Sequence, residues 1–248
     1  MKNFNQGMGY LIEGVRRLST KGLKRFIILP ILFNLILFSA LFYSVYHYLF
    51  PYAQIYINQL PAWLGFMSGV LFVVFILSCF LIFLSAFTVV FNLLAAPFNG
   101  FLAEKAQYIF YNEVIPSLSF STIAIRSIKR QGHFILYFIP RFLCMCILFF
   151  IPFLHPVFPF IWFAFNAWIL SVQYQDFAMD NNLVSFSEMK RKIAKNKAQT
   201  FGFGSLVHII SFIPLLNIFI MPAAVIGGVL MYCGERNRNL LIKHSDHL

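Results

Sequence analysis

Between Phe26 and Ala103 lie 78 consecutive residues without a single Asp, Glu, Lys or Arg. Two further charge-free stretches follow, Phe142–Gln175 and Ala198–Gly234. A soluble domain uses charge to face water and carries roughly 25% charged residues. This 248-residue chain has 11%, against 60% hydrophobic and 19% aromatic. Excluding charge over such lengths has a physical reason where lipid replaces water, because an ionised side chain at the bilayer centre costs at least about 2.5 kcal/mol. The backbone there must also satisfy its own hydrogen bonds, which helices do within one segment. The expected fold is an all-α integral membrane protein, and a water-soluble globule is excluded.

About 20 apolar residues cross the ~30 Å hydrocarbon core. The longest run therefore holds two long transmembrane helices, over 26–50 and 62–96, joined by a loop at 51–61 that carries Pro51, Asn58 and Pro61. The other two runs are cut by proline. Eleven residues separate Pro140 from Pro152, and fifteen make up Phe160–Tyr174. Phe201–Ile213 precedes Pro214, and Ala223–Cys233 follows Pro222. Eleven helical residues reach ~17 Å, about half the hydrocarbon core. These segments are read as two hemi-penetrating, re-entrant helical hairpins. Their tips are alike, Phe150-Ile151-Pro152 with Pro159 and Phe212-Ile213-Pro214 with Pro222, which makes a weak internal repeat. His155 and Asn217 at the tips are suited to satisfy local carbonyls. Four complete, Pro-kinked spans form the alternative.

Residues 3–18 read as an amphipathic N-terminal helix, with Phe4, Met8, Leu11, Val15 and Leu18 recurring at spacings of three and four. It either lies on the membrane or packs on the rest of the protein. Gly7, Gly9 and Gly14 count against helix, each costing about 1 kcal/mol relative to Ala. Between the long helices and the first hairpin, a helix continuing to about residue 115, a turn near Pro116 and a basic helix through Arg126, Lys129 and Arg130 are expected. The chain then divides as a single membrane domain, 1–248: an N-terminal segment 1–25, spanning helices 26–103, cytoplasmic-side helices 104–133, hairpins 134–175 and 201–234, a basic connector 176–200 and a tail 235–248.

Nineteen Lys and Arg oppose eight Asp and Glu, a formal net charge of +11. Eighteen of the nineteen lie in residues 1–25, 104–133, 190–197 and 235–248, while 51–61 holds none. Cations just outside apolar runs mark the cytoplasmic side, so both termini are expected there. This placement argues for topology and for anionic headgroups or an anionic substrate, and against nucleic acid. The four cysteines all sit in apolar stretches and spell no disulfide or zinc framework. The run after Arg25 is too long for a signal-peptide core of about 7–15 residues.

Three places carry candidate chemistry. Ser19-Thr20-Lys21-Gly22-Leu23-Lys24-Arg25 stands directly before the first crossing. A helix beginning near Leu23 offers free N–H groups and the positive end of its dipole, Gly22 admits close backbone approach, and Lys24 and Arg25 add full charges. That combination suits a tetrahedral oxyanion. Arg141 lies alone in an apolar segment, and Asn34, Asn92, Asn99 and Glu104 are polar positions on the long helices. Together these five are candidate pathway residues, with Glu104 a partner for Arg126, Arg130 or Arg141. Asp176 and Asp180, four apart, share a helix face. They are read as a salt-bridged exit toward Lys190, Arg191 and Lys192. No phosphate loop, H-E-x-x-H, C-x-x-C or G-x-S-x-G occurs, and neither metal nor cofactor is expected.

Gly22-Leu23-Lys24-Arg25-Phe26 with Leu29-Pro30 and Asn34 resembles the start of the CysZ sulfate transporter family. Asn92-Leu93-Leu94-Ala95-Ala96-Pro97-Phe98-Asn99-Gly100 with Leu102-Ala103-Glu104 is similar to it as well. So are Gln173-Tyr174 with Asp176 and Asp180-Asn181, and Ile213-Pro214-Leu215-Leu216-Asn217 with Ile220-Met221-Pro222. The resemblance implies a multi-pass protein of the bacterial inner membrane that moves sulfate into the cytoplasm for cysteine synthesis, and that assembles with copies of itself. It also implies sulfate binding at Gly22, Leu23, Lys24 and Arg25, with Lys24 standing where the family usually has Arg. Lysine there offers a point charge in place of a planar fork. From the residues alone, a non-transporting scaffold assisting sulfate uptake and an interfacial enzyme using Asp176 and Asp180 on lipid or phosphate groups stay open.

Overall fold

The structure, a computed structural model, describes residues 2–52, 55, 59, 65–113, 115 and 120–245. Among these there is no β-strand. The helices are α1 (Lys2–Arg16), α2 (Lys24–Ser44), α3 (Gly65–Tyr111), α4 (Phe120–Phe149), α5 (Phe158–Asn181), α6 (Phe186–Lys195), α7 (Lys197–Ser211) and α8 (Pro214–Ser245). They form two compact units, one of Met1–Ile27 with Ala96–Leu248 and one of Ile28–Ala95.

The smaller unit holds most of α2 and the first two-thirds of α3. Past Ser44 the helix loosens into a π-helical turn, Val45–Leu49, and continues through Tyr52. Pro51, expected to open the loop, is therefore still helical; a helix can hold proline because its missing donor leaves few groups unpaired. Phe50 meets Phe72 edge to face at 5.6 Å. Ile28, Leu35, Ile36, Phe42, Val70 and Val73 all face outward. A helix apolar on every side is the form suited to lipid, and Lys24–Tyr52 is long and apolar enough to cross a membrane.

The larger unit is built around α1, α5, α7 and α8, which pack on one another. Glycine makes that approach close. A Cβ on Gly7 would overlap the Gln199 carbonyl oxygen, one on Gly14 that of Ala223, one on Gly202 that of Phe4, and one on Gly204 that of Ala167. Small residues let helix backbones touch, which is how helices associate where no water drives them together. α1 is thus a packed helix, and the glycines that argue against it on propensity are its contact points. Its buried positions are Gly7, Leu11 and Gly14, whereas Val15, from the expected apolar stripe, is 44% exposed.

α4 and α5 run antiparallel, and their pairs mark the register from the open end to the tip: Arg126 with Asp180, Arg130 with Asp176, Tyr137 with Trp168, Phe142 with Trp162, Phe149 with Phe158. At the tip the His155 ring Nε2 bonds the Phe149 carbonyl at 2.8 Å, as expected for that residue. The Asn217 side chain lies outside the described residues. Two of the four prolines expected to bound the hairpin arms do not. Pro140 is interior to the 30-residue α4, which fuses the basic helix with the first arm, and Pro222 is interior to the 32-residue α8. Ile125–Phe149 and Phe219–Asn237 are also long and apolar enough to cross a membrane. Among the described residues the regular structure is all helical, with several apolar helices compatible with a membrane protein.

Candidate functional site

The turn before α2 is held by backbone bonds from Thr20 N–H to Arg17 O (3.1 Å), Leu23 N–H to Thr20 O (3.2 Å) and Phe26 N–H to Leu23 O (2.9 Å). Gly22 adopts φ +94°, the left-handed half of backbone space that favours glycine. Leu23 is fully buried and Ile27 nearly so, which pins the start of the helix. Gly22, Lys24 and Arg25 are exposed on the other side. Arg25 lies 4.8 Å from the Phe26 ring. The opening turn of a helix has N–H groups without an acceptor inside it, and here two cations border them. A branched side chain at Gly22 is expected to strain the turn. Gly22→Val should lower stability by about 1–3 kcal/mol, read as a lower thermal midpoint in detergent micelles. Gly9→Ala, with no atom near its Cβ, should leave the midpoint unchanged or raise it slightly.

The five pathway candidates are distributed differently. Asn34 and Asn92 sit on α2 and α3, and their side chains lie outside the described residues. Asn99 and Glu104 are half-buried on α3. Arg141 is exposed on α4, where it donates to the Tyr137 carbonyl at 2.7 Å and lies 3.6 Å above the Tyr137 ring. The expected pairing of Glu104 with Arg126, Arg130 or Arg141 is not formed; Arg126 and Arg130 pair with aspartates, and Arg141 turns to Tyr137.

Arg126 and Arg130, one turn apart on α4, meet Asp180 and Asp176, one turn apart on α5. Arg130 donates from Nε (2.9 Å) and Nη2 (2.6 Å) to Asp176 and from Nη1 to the Val184 carbonyl (3.0 Å). Arg126 donates to the Asp180 carboxylate at 3.2 Å and to its backbone oxygen at 2.8 Å. The carboxylates therefore do not reach Lys190, Arg191 or Lys192, the partners expected from chain proximity. Two helices running in opposite directions carry α4 past α5 at this point, whereas Lys192 is taken by Glu188 at 3.1 Å. Burial pushes the Asp176 carboxyl above its usual range, while the hydrogen bonds from Arg130 pull it down. The matching four-residue spacings of the two arginines and two aspartates were the available signal.

A second polar knot escaped sequence reasoning. Gln107, on the C-terminal turns of α3, donates to Glu113 at 2.7 Å and exchanges bonds of 3.1 and 2.8 Å with Asn182. Arg236 pairs with Glu113 and reaches Asn182 at 3.2 Å. Gln107 is 1% exposed. Nothing in local periodicity marks a buried glutamine that exchanges two bonds with an asparagine 75 residues away.

The family described as sulfate transporter CysZ/etoposide-induced protein 2.4 matches residues 10–222. The stretch covers the Gly22–Arg25 turn, α2 through α7 and the paired arginines and aspartates. The chain belongs to this family. Among its relatives, the sulfate transporter CysZ of Pectobacterium atrosepticum is 35% identical over 238 residues, 94% of this chain and 86% of that protein. That of Pseudomonas fluorescens is 34% identical over 240 residues, 95% and 96% of the two chains. That of Vibrio cholerae is 35% identical over 243 residues, 96% of each. These CysZ relatives are named as transporters and not as enzymes. The aspartates that an enzymatic reading would need are occupied by arginine, and among the described residues no three His, Cys, Asp or Glu side chains converge on a metal position.

Proposed function

We propose that the chain moves sulfate across the bacterial inner membrane into the cytoplasm, as a channel-like or facilitative protein that supplies cysteine synthesis. The observation that carries this reading is the open first turn of α2, with Gly22 at φ +94° and Lys24 and Arg25 exposed beside it. A sulfate ion there accepts bonds from backbone N–H groups and from both cations. Passage then follows the polar positions Asn34, Asn92, Asn99, Glu104 and Arg141. Lacking a phosphate loop, the chain drives no transport by hydrolysis.

In this reading the whole chain is one multi-pass membrane domain with both termini cytoplasmic, self-associated in the bilayer. The α4–α5 and α7–α8 hairpins enter the membrane and turn back inside it. Their tips support this: Phe150, Phe153 and Phe212 are 79%, 88% and 72% exposed, an arrangement favourable in lipid and costly in water.

Each charge-assisted hydrogen bond to an oxyanion contributes about 1.5–3 kcal/mol, so Lys24→Ala and Arg25→Ala should each weaken sulfate binding about tenfold or more. Calorimetric titration of the purified protein measures this, and unchanged affinity in both variants refutes capture at the turn. Liposomes holding the purified protein should take up labelled sulfate faster than empty ones. Equal uptake would favour a scaffold that assists another transporter.

A further inference from the structure

A groove of about 630 Å³ lies between α4 and α6, beyond the Arg130–Asp176 pair, lined by Arg130, His133, Tyr137, Arg141, Ser187 and Lys190 among others. It has four basic side chains on its walls and no acidic one. The floor is a pair of rings, Tyr137 and Phe186, packed edge to face at 5.9 Å. The cations gather around them. Arg141 lies 3.6 Å and Lys190 5.7 Å from the Tyr137 ring, while Arg130 lies 5.2 Å and Lys190 5.5 Å from Phe186. The His133 ring stacks on Phe186 at 6.0 Å.

These charges are unevenly balanced. Asp176 neutralises Arg130 from behind, and Glu188, the acidic residue nearest in sequence, is held by Lys192. Among the described residues no carboxylate lies within salt-bridge distance of Arg141 or Lys190. An aromatic face attracts a cation by only about 0.5–1 kcal/mol at an exposed site and cancels none of its charge. Two uncompensated positive groups therefore face one cavity. The Ser187 hydroxyl adds a donor at its edge, while in the opening turn of α6 the Glu188 N–H is taken by the Ser185 hydroxyl and the Met189 N–H by the Ser185 carbonyl. On α4, Leu136 lines the groove, and Ile139 and Leu143 beyond it are likewise exposed apolar residues. The groove thus opens where a polar surface gives way to one suited to lipid.

We infer that this groove is a second tetrahedral-oxyanion site, built on elements other than the Gly22–Arg25 turn and recognising a phosphate or sulfate group through Arg141 and Lys190. The group is carried either by a free ion, with four terminal oxygens, or by the phosphodiester of an anionic phospholipid headgroup, with two; both offer charged oxygens on a tetrahedral centre. The inference does not depend on capture at the turn or on a route past Arg141.

The test has two arms on the purified full chain. Sulfate and inorganic phosphate are titrated calorimetrically into protein in neutral maltoside micelles. In parallel, phosphatidylglycerol and phosphatidylcholine are added and the bound lipids counted by native mass spectrometry. Arg141→Gln with Lys190→Gln should weaken binding at least about tenfold in one arm or the other. Arg141→Lys with Lys190 kept should retain most of it, and in a Lys24→Ala/Arg25→Ala background, stripped of the turn site, Arg141→Gln with Lys190→Gln should still remove the binding that remains. Loss confined to phosphatidylglycerol identifies the headgroup as the ligand, and loss confined to the salts identifies the free ion. Identical behaviour of the wild type and the Arg141/Lys190 double variant in both arms overturns the inference. Failure of the capture reading gives a different pattern, unchanged sulfate binding in Lys24→Ala and Arg25→Ala.

Discussion

Arg130→Met should destabilise the protein by roughly 3–5 kcal/mol, because removing one partner of a buried ion pair strands the other. The Arg130 and Asp176 side chains are 12% and 9% exposed, and Asp176 would be left nearly buried without its cation, with Asp180 one turn away. The Val184 carbonyl would also lose its donor. The loss should appear as a large drop in the thermal midpoint in micelles. A structural pair makes a further demand: Arg130→Met combined with Asp176→Leu should recover most of the stability, since an apolar pair of similar volume is often as stable as the ions it replaces. If the double variant is no more stable than Arg130→Met alone, the charge pair is not what holds α4 to α5. A midpoint unmoved by Arg130→Met would show that solvent already screens the pair.

Gly7→Leu with Gly14→Leu should separate α1 from α7 and α8. Each new side chain begins inside a neighbouring backbone, at the Gln199 and Ala223 carbonyls respectively, and backbone cannot yield as a side-chain tip can. Overpacking commonly costs about 1–3 kcal/mol per site, and the two sites share one helix, so the double variant should lose several kcal/mol. Trypsin gives an independent readout. Arg16 is exposed at the end of α1 and Lys21 in the turn after it, and a released α1 should be cut there much faster than in the wild type. Gly9→Leu, whose Cβ meets no atom within 4 Å, should alter neither stability nor cleavage. Rapid cleavage of the wild type itself would mean that α1 is not docked in the first place.

The two experiments probe features of different legibility. That the α2 and α3 segments are apolar helices follows from charge exclusion alone, and the start of α2 at Lys24 lies close to the expected 26, at the basic cluster that ends the polar N-terminal segment. Two helix breaks were also readable, since Pro152 and Pro214 open new helical segments at positions where proline is tolerated. Pro140 and Pro222 misled, because the same residue type inside a packed helix is carried through when neighbouring helices and local adjustments satisfy the freed carbonyl. Glycine misled in the opposite sense. Its helix propensity describes an isolated helix in water, whereas Gly7 and Gly14 are valued for the backbone contact that a missing side chain permits.

The candidate turn at Gly22–Arg25 was visible in the sequence because a helix start is a local event: its glycine, its cations and its free N–H groups lie within four residues. The same locality determined that the chain would be helical, apolar and charged at its margins, for lipid acts on each segment separately. Which carboxylate meets which arginine, why Gln107 is buried, and how Arg141, Lys190 and Phe186 come to share one groove were decided only in three dimensions. Those relations join residues 46 to 75 positions apart in the charged and polar networks, and they arise from the antiparallel register of α4 and α5 and the docking of α6. No periodicity within a segment carries information about a partner that another segment brings to it.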